Sequence, residues 1–139
     1  INNIKASGTE FILSSFDNKI LSKTKSKIFY DETYEIDLNS FEYNINDQKI
    51  TSGDFVKIKD NINNYFELYE FLFDLKTNKF LGKEIKFIDN QQNKFFLNEV
   101  MINADNDKLY GKGIKFFDNQ QNKYFLNLLM VNYLLQPYN

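Results

Sequence analysis

Few side chains in this 139-residue chain are of types that do covalent chemistry. There is no histidine or cysteine, and every one of its 17 basic residues is lysine. Those absences exclude a Ser-His-Asp triad, a thiol nucleophile, disulfides and the usual zinc sites. Ser14, Ser15 and Ser22 have no imidazole to activate them. Glu67 and Glu70 are a carboxylate pair of the kind that does general acid/base work, but nothing in the sequence sets them in a pocket. The run Asp105-Asn106-Asp107 has the acids of a calcium loop without its glycine or its distal glutamate, and reads as an Asx turn. There is no glycine-rich phosphate loop. No catalytic residue, metal or cofactor is therefore expected, and the chain is read as a non-enzyme. A net charge of −2 without arginine argues against a nucleic-acid partner.

What remains to carry function is apolar surface. The chain holds 15 Phe and 9 Tyr within a hydrophobic fraction of 42%, a β-rich composition. A single proline and few glycines argue against a disordered linker. The length suits one domain spanning residues 1–139. No run approaches the roughly 18 apolar residues of a membrane helix. Residues 1–5 have neither the charged start nor the apolar block of a signal peptide. The first residue is Ile1 rather than methionine, so the chain is read as a mature form or an excised fragment.

The elements that must position this surface are announced by a repeat. Residues 82–103 (GKEIKFIDNQQNKFFLNEVMIN) align with residues 111–132 (GKGIKFFDNQQNKYFLNLLMVN) at an offset of 29, with 16 of 22 positions identical. A fainter copy lies one period earlier, where Gly53, Val56, Lys57, Ile58, Asp60, Asn64, Phe66 and Leu68 take equivalent places. Asn18-Lys19-Ile20-Leu21 resembles Asn78-Lys79-Phe80-Leu81 and marks a fourth, degraded copy. Fixed-period self-similarity means stacked supersecondary units that cover one another's apolar faces.

Within each copy the period is two. This alternation predicts half-buried strands, broken by Asn/Asp-rich turns at residues 60–64, 75–78, 89–93, 104–107 and 118–122. Each repeat then holds two strands of about ten residues, and the chain about nine to eleven strands with little helix. The predicted inward stripe is Val56, Ile58, Phe66, Leu68, Ile85, Phe87, Phe95, Leu97, Ile114, Phe116, Tyr124 and Leu126. Lys57, Lys86 and Lys115 share one repeated position on the opposite face. Gly53, Gly82 and Gly111 are read as bends, with a backbone closed to β-branched residues at Gly82 and Gly111. The alternation slips at Asn98–Glu99, where a second bend or bulge must return Val100 and Ile102 to the inward phase.

Three stretches, residues 41–60 (FEYNINDQKITSGDFVKIKD), 73–89 (FDLKTNKFLGKEIKFID) and 103–118 (NADNDKLYGKGIKFFD), share one form. It is a strand, an Asx-rich turn, a Lys-apolar step, a glycine and a strand ending in Asp. This form resembles the repeat of the lipopolysaccharide-transport periplasmic domains, the OstA-like family of LptA, LptC and the N-terminal domain of LptD. The likeness covers roughly residues 28–132. The aromatic strand after the Asp-Asn turn, within residues 58–87, leans toward the LptD N-terminal region. The resemblance implies an antiparallel β-jellyroll shaped like a folded taco. Its apolar groove between two sheets would hold lipid A acyl chains, with the stripe above as lining. It further implies a periplasmic location, lipopolysaccharide as ligand, and homologous jellyrolls or a second copy joined edge to edge. The missing arginine and cysteine depart from the family's usual composition.

Two other classes remain open from the residues alone: a β-solenoid or lectin-like surface adhesin, and a purely structural β-repeat. Antiparallel pairing favours the jellyroll over a solenoid. The apolar stretch at residues 126–135 and the uncapped strand edges point to edge-to-edge association.

Overall fold

The computed structural model describes residues 4–106 and 108–132, without the side chains of Ile114 and residues 125–132. It is all β, with no helix among the described residues. The strands are β1 (Ile4–Gly8), β2 (Ile12–Ser14), β3 (Lys19–Ser22), β4 (Ser26–Tyr30), β5 (Tyr34–Leu38), β6 (Phe41–Asn44), β7 (Lys49–Ser52), β8 (Val56–Asp60), β9 (Tyr65–Asp74), β10 (Lys79–Ile88), β11 (Lys94–Asn103), β12 (Lys108–Phe117) and β13 (Lys123–Asn132). All belong to one sheet, and every pairing is antiparallel.

These 13 strands exceed the expected nine to eleven because long legs are broken in two. β1 and β2 form one leg, and β3/β4, β5/β6 and β7/β8 form three more, followed by the unbroken β9 to β13. The branching of the sheet proves the point. β8 pairs with Tyr65–Leu68 of β9, while β7 pairs with Phe71–Asp74 of the same strand. On one side of this line lie β1, β4, β5 and β8; on the other lie β2, β3, β6 and β7.

The line is a crease. Tyr30 sits in β4, three strands away from β9 in its half of the sheet. In a flat sheet that is about 14 Å. Yet its ring lies 4.8 Å from that of Phe73, on the far half of β9, and edge-on to it. Its hydroxyl donates to Asn78 Oδ1 at 2.7 Å. Tyr34 of β5 likewise meets Phe80 of β10 at 5.2 Å. The two halves therefore face one another, with the core between them.

The sequence dictates how each leg crosses the crease. β9, β10 and β11 share one burial rhythm, in which two adjacent exposed residues interrupt the alternation: Tyr69-Glu70, Lys83-Glu84 and Asn98-Glu99. The slip expected at Asn98–Glu99 is there, and Val100 and Ile102 return to the interior at 5% and 0% exposure. In β9, β10 and β12 the corner is taken by one residue in the left-handed region: Glu70 (φ 50°), Glu84 (φ 51°) and Gly113 (φ 66°).

The glycines take other roles than expected. Gly82 and Gly111 do not carry a positive φ; Glu84 and Gly113, one repeat apart, do. Gly82 lies beside the register shift of β10 on β9, and is small for a different reason. A Cβ there would sit 2.6 Å from Leu68 Cδ1. Gly111 is buried opposite Val100. Gly53 falls in the open corner between β7 and β8, with nothing within 4 Å of a Cβ.

Both rims of the folded sheet are closed by repeating turns. Asp60, Asp89 and Asp118 each accept, through Oδ1, the backbone N–H groups two and four residues on, at 2.8–3.0 Å. Each Oδ2 accepts from the Asn side chain four residues on, at 2.7–2.8 Å. The left-handed residues Asn63, Gln92 and Gln121 have φ of 68°, 69° and 67°. Neighbouring turns are stitched together, because Asn90 N–H donates to Asn64 Oδ1 and Asn119 N–H to Asn93 Oδ1. On the other rim Asn18, Gln48 and Asn78 all have φ near 53° (52°, 53° and 53°), and their carbonyls accept from Ile45, Leu75 and Ala104. Asn18 thus does in the degraded copy what Asn78 does in the clear one.

Candidate functional site: an apolar cavity under the crease

The inward stripe forms continuous cross-strand ladders. One runs Ala6, Ile28, Ile36, Ile58, Phe66, Phe87, Phe95, Phe116 and Tyr124 across nine legs. Its aromatic half is a stack, with successive ring centroids 4.5, 5.2, 4.6 and 5.4 Å apart from Phe66 to Tyr124. Ile58, Phe87 and Phe116 share this ladder, at the equal depth their repeat positions imply. A ladder on the facing half runs Ile20, Tyr43, Ile50, Phe73, Phe80, Ile102 and Leu109.

In mid-sheet these ladders fill the interior. Val56, Ile58, Phe66, Leu68, Ile85, Phe87, Phe95 and Leu97 are all buried, none more than 7% exposed. They make the wall of the interior. Toward β13 the track surfaces: Phe116 is half-buried and Tyr124 is 47% exposed. Ile114 and Leu126 face each other in register, and their side chains lie outside the described residues.

Open space lies at the opposite end. A cavity of about 410 Å³ sits between the two halves near β1 to β3, lined by Ile4, Ala6, Phe11, Ile20, Ile28, Phe41, Tyr43, Ile50 and Leu75. Ile4, Ala6 and Ile28 come from one half; Ile20, Phe41, Tyr43 and Ile50 come from the other. None is charged, and Tyr43 supplies the one side-chain hydroxyl. Ala6, Ile28, Ile20 and Ile50 belong to the same ladders that form the mid-sheet core. At the rim Phe11 is 42% and Leu13 66% exposed.

None of the cavity's lining residues belongs to the predicted inward stripe. They lie where the repeat has decayed, outside the clear copies. The signal that was present is the alternation in Ile4–Ala6, Ile28–Tyr30 and Phe41–Tyr43.

The residues with chemical potential are committed elsewhere. Ser22 and Ser26 share a buried 2.8 Å hydrogen bond. Ser14 donates to Asp17 Oδ2. Glu67 accepts from the Tyr65 hydroxyl, and Glu70 pairs with Lys83 at 3.1 Å. Asp105 accepts from Asn78 Nδ2, while its own N–H donates to Asn103 in an Asx turn; Asp107 lies outside the described residues. Burial pushes the Tyr30 hydroxyl up to about 12, with Asp31 and Asp105 adding to the shift. It serves as a donor across the crease rather than as a base. A larger recess of about 540 Å³ on the outer face holds Lys25, Lys27, Asp37 and Lys57, but Lys27 is already paired with Glu35 and Asp37 at 2.5 and 3.5 Å.

Neither a scan of family models nor a search of curated proteins returns a match to this chain.

Proposed function

We propose that this chain is a lipid-carrying domain of lipopolysaccharide transport, an OstA-like β-jellyroll whose halves hold acyl chains between them. The observation that carries this reading is the apolar cavity under the crease, built from both halves and continuous with the inward ladders. A volume of about 410 Å³ falls within the range of ligand sites. Each acyl methylene buried there is worth roughly 0.8 kcal/mol, so retention needs no catalytic group. Antiparallel pairing throughout weighs against the parallel solenoid form of the adhesin reading. The same proposal makes the outer edges of β1, β2 and β13 the joints to homologous jellyrolls, and the periplasm the place of work.

The test is a photo-crosslinking residue at Phe41, on the cavity wall, compared with one at Lys86, on the outer face. Labelling of lipopolysaccharide in cells at Phe41 and much less at Lys86 is expected. Phe87 is a poor probe because its ring is fully buried. Equal labelling at both positions, or none at Phe41 in folded protein, overturns the reading in favour of a structural or adhesive domain.

A further inference from the structure

The outer face of the half-sheet containing β4, β5 and β8 changes character along its length. Over β4, β5, β8 and the start of β9 its charges balance. Lys27, Lys57 and Lys59 face Glu35, Asp37 and Glu67 across the strands, in register or as ion pairs. Beyond β9 the exposed acids of β10 and β11 stand at the crease, at Glu84 and Glu99. The outward positions on the same half of β10 to β13 are Lys86, Ile88, Lys94, Phe96, Lys115, Phe117 and Lys123.

In this area Lys94 and Lys115 stand in register with apolar residues rather than acids. Lys94 lies opposite Ile88 and Phe117, and Lys115 lies opposite Phe96. Lys86 has an acid across from it, Glu67. The nearest turn acids, Asp89 and Asp118, spend their oxygens on their own turns. Phe96 is 38% exposed and packs edge-on against Phe117 at 5.8 Å, and Lys123 sits over the Phe117 ring. A charge ladder that alternated in sign from Lys27 to Lys86 therefore meets an exposed phenylalanine where the next acid would stand.

We propose that this lysine-and-phenylalanine face docks on an anionic lipid bilayer surface. Charge complementarity chooses the partner. Lys94 and Lys115 stand in register with apolar residues, so their stems can lie along the rings while the ammonium groups reach lipid headgroups. Aromatic rings on the same plane suit the headgroup layer, where one side is apolar and the other wet. A purely polyanionic partner would have no use for Phe96 and Phe117. The face lies on the outside of the sheet, away from the cavity, so it stands or falls separately from acyl-chain carriage.

The experiment is co-sedimentation of the whole chain with vesicles. One set is pure phosphatidylcholine, and the other contains roughly one-third phosphatidylglycerol. Binding to the anionic set alone is expected, weakening as salt is raised through the physiological range. The double variant Lys94→Gln/Lys115→Gln and the variant Phe96→Ser should each weaken binding by about tenfold or more, while Lys59→Gln on the balanced area leaves it unchanged. Circular dichroism confirms that each variant is folded. Absence of binding by the folded wild type overturns the proposal, and so does an equal loss in Lys59→Gln. Full retention by Phe96→Ser, with heparin displacing the vesicles, would mean a polyanion site and also overturns it.

Discussion

Glu84 and Gly113 are the same residue of successive repeats and take the same left-handed corner, at φ 51° and 66°. Only glycine adopts that region without cost; an L side chain gives up roughly 1–2 kcal/mol. Glu84→Gly should therefore raise stability, by up to about 1 kcal/mol once the extra freedom of the unfolded chain is counted. Gly113→Ala should lower it, since the added Cβ would also meet the Asn98 side chain at 2.2–3.2 Å. Urea unfolding of the two variants checks both signs, and a shift in the same direction for both would refute the account. Gly82→Val tests a different physics. Its backbone is ordinary, but the new methyls would press on Leu68, so a loss of about 1–3 kcal/mol is expected from overpacking. Gly53→Ala, in open space, should melt like the parent.

At the scale of elements, the turn clasp is one device used in two environments. Burial raises the Asp60 carboxyl above its ordinary value, against the opposing hydrogen bonds from Asn64 and Ile62. In the open copy the Asn122 side chain holds Asp118 below it. The pH effects therefore have opposite signs. An acid raised in the folded state favours folding most below its unfolded pKa, and that contribution is lost as pH rises through the folded value. A depressed acid does the reverse, and its contribution is lost as pH falls. Asp60→Asn also turns an amide nitrogen toward Asn64 Nδ2, whose own oxygen is held by Asn90. A net loss of about 1–3 kcal/mol is expected. The gap between wild type and Asp60→Asn should narrow as pH rises above the ordinary carboxylate value of about 4, and the gap between wild type and Asp118→Asn should shrink as pH falls below it; denaturant titrations on both sides of that value decide it. The aromatic stack is the other shared element. Phe87, with no exposed surface and rings on both sides, should cost about 3–5 kcal/mol as Phe87→Ala.

Among the described residues the creased sheet has two ends without a further strand, β1 and β2 at one and β13 at the other. Unpaired edges are templates for further strands. Self-association that grows with concentration is expected in analytical ultracentrifugation, with the β content unchanged. A protein that stays monomeric at millimolar concentration would count against edge pairing. The cavity and the β13 end differ in kind: one is an apolar recess between the two halves, the other an exposed continuation of the same track at Phe116 and Tyr124.

Much of this architecture was legible in the residues. Period-two alternation declares a strand whatever surrounds it, because successive side chains must point to opposite faces. The 29-residue spacing of Asp60, Asp89 and Asp118 declared the turns, since an Asp–Asn pair four apart closes its own backbone locally. The phase slip at Asn98–Glu99 was visible for the same local reason. Nothing local, however, says that Glu84 rather than Gly82 turns the corner, because a bulge borrows its strain tolerance from the whole ladder around it. Nor could the alternation distinguish a filled interior from an open one. Phe66, Phe87 and Phe95 point inward just as Ile28 and Phe41 do. Whether space remains between them depends on how closely the two halves approach, and that is set by the summed volume of side chains meeting across the crease. In mid-sheet, stacked rings fill the gap. At the β1–β3 end, smaller residues such as Ala6 and Ile20 leave it open, and only the tertiary structure brings those distant residues to one place.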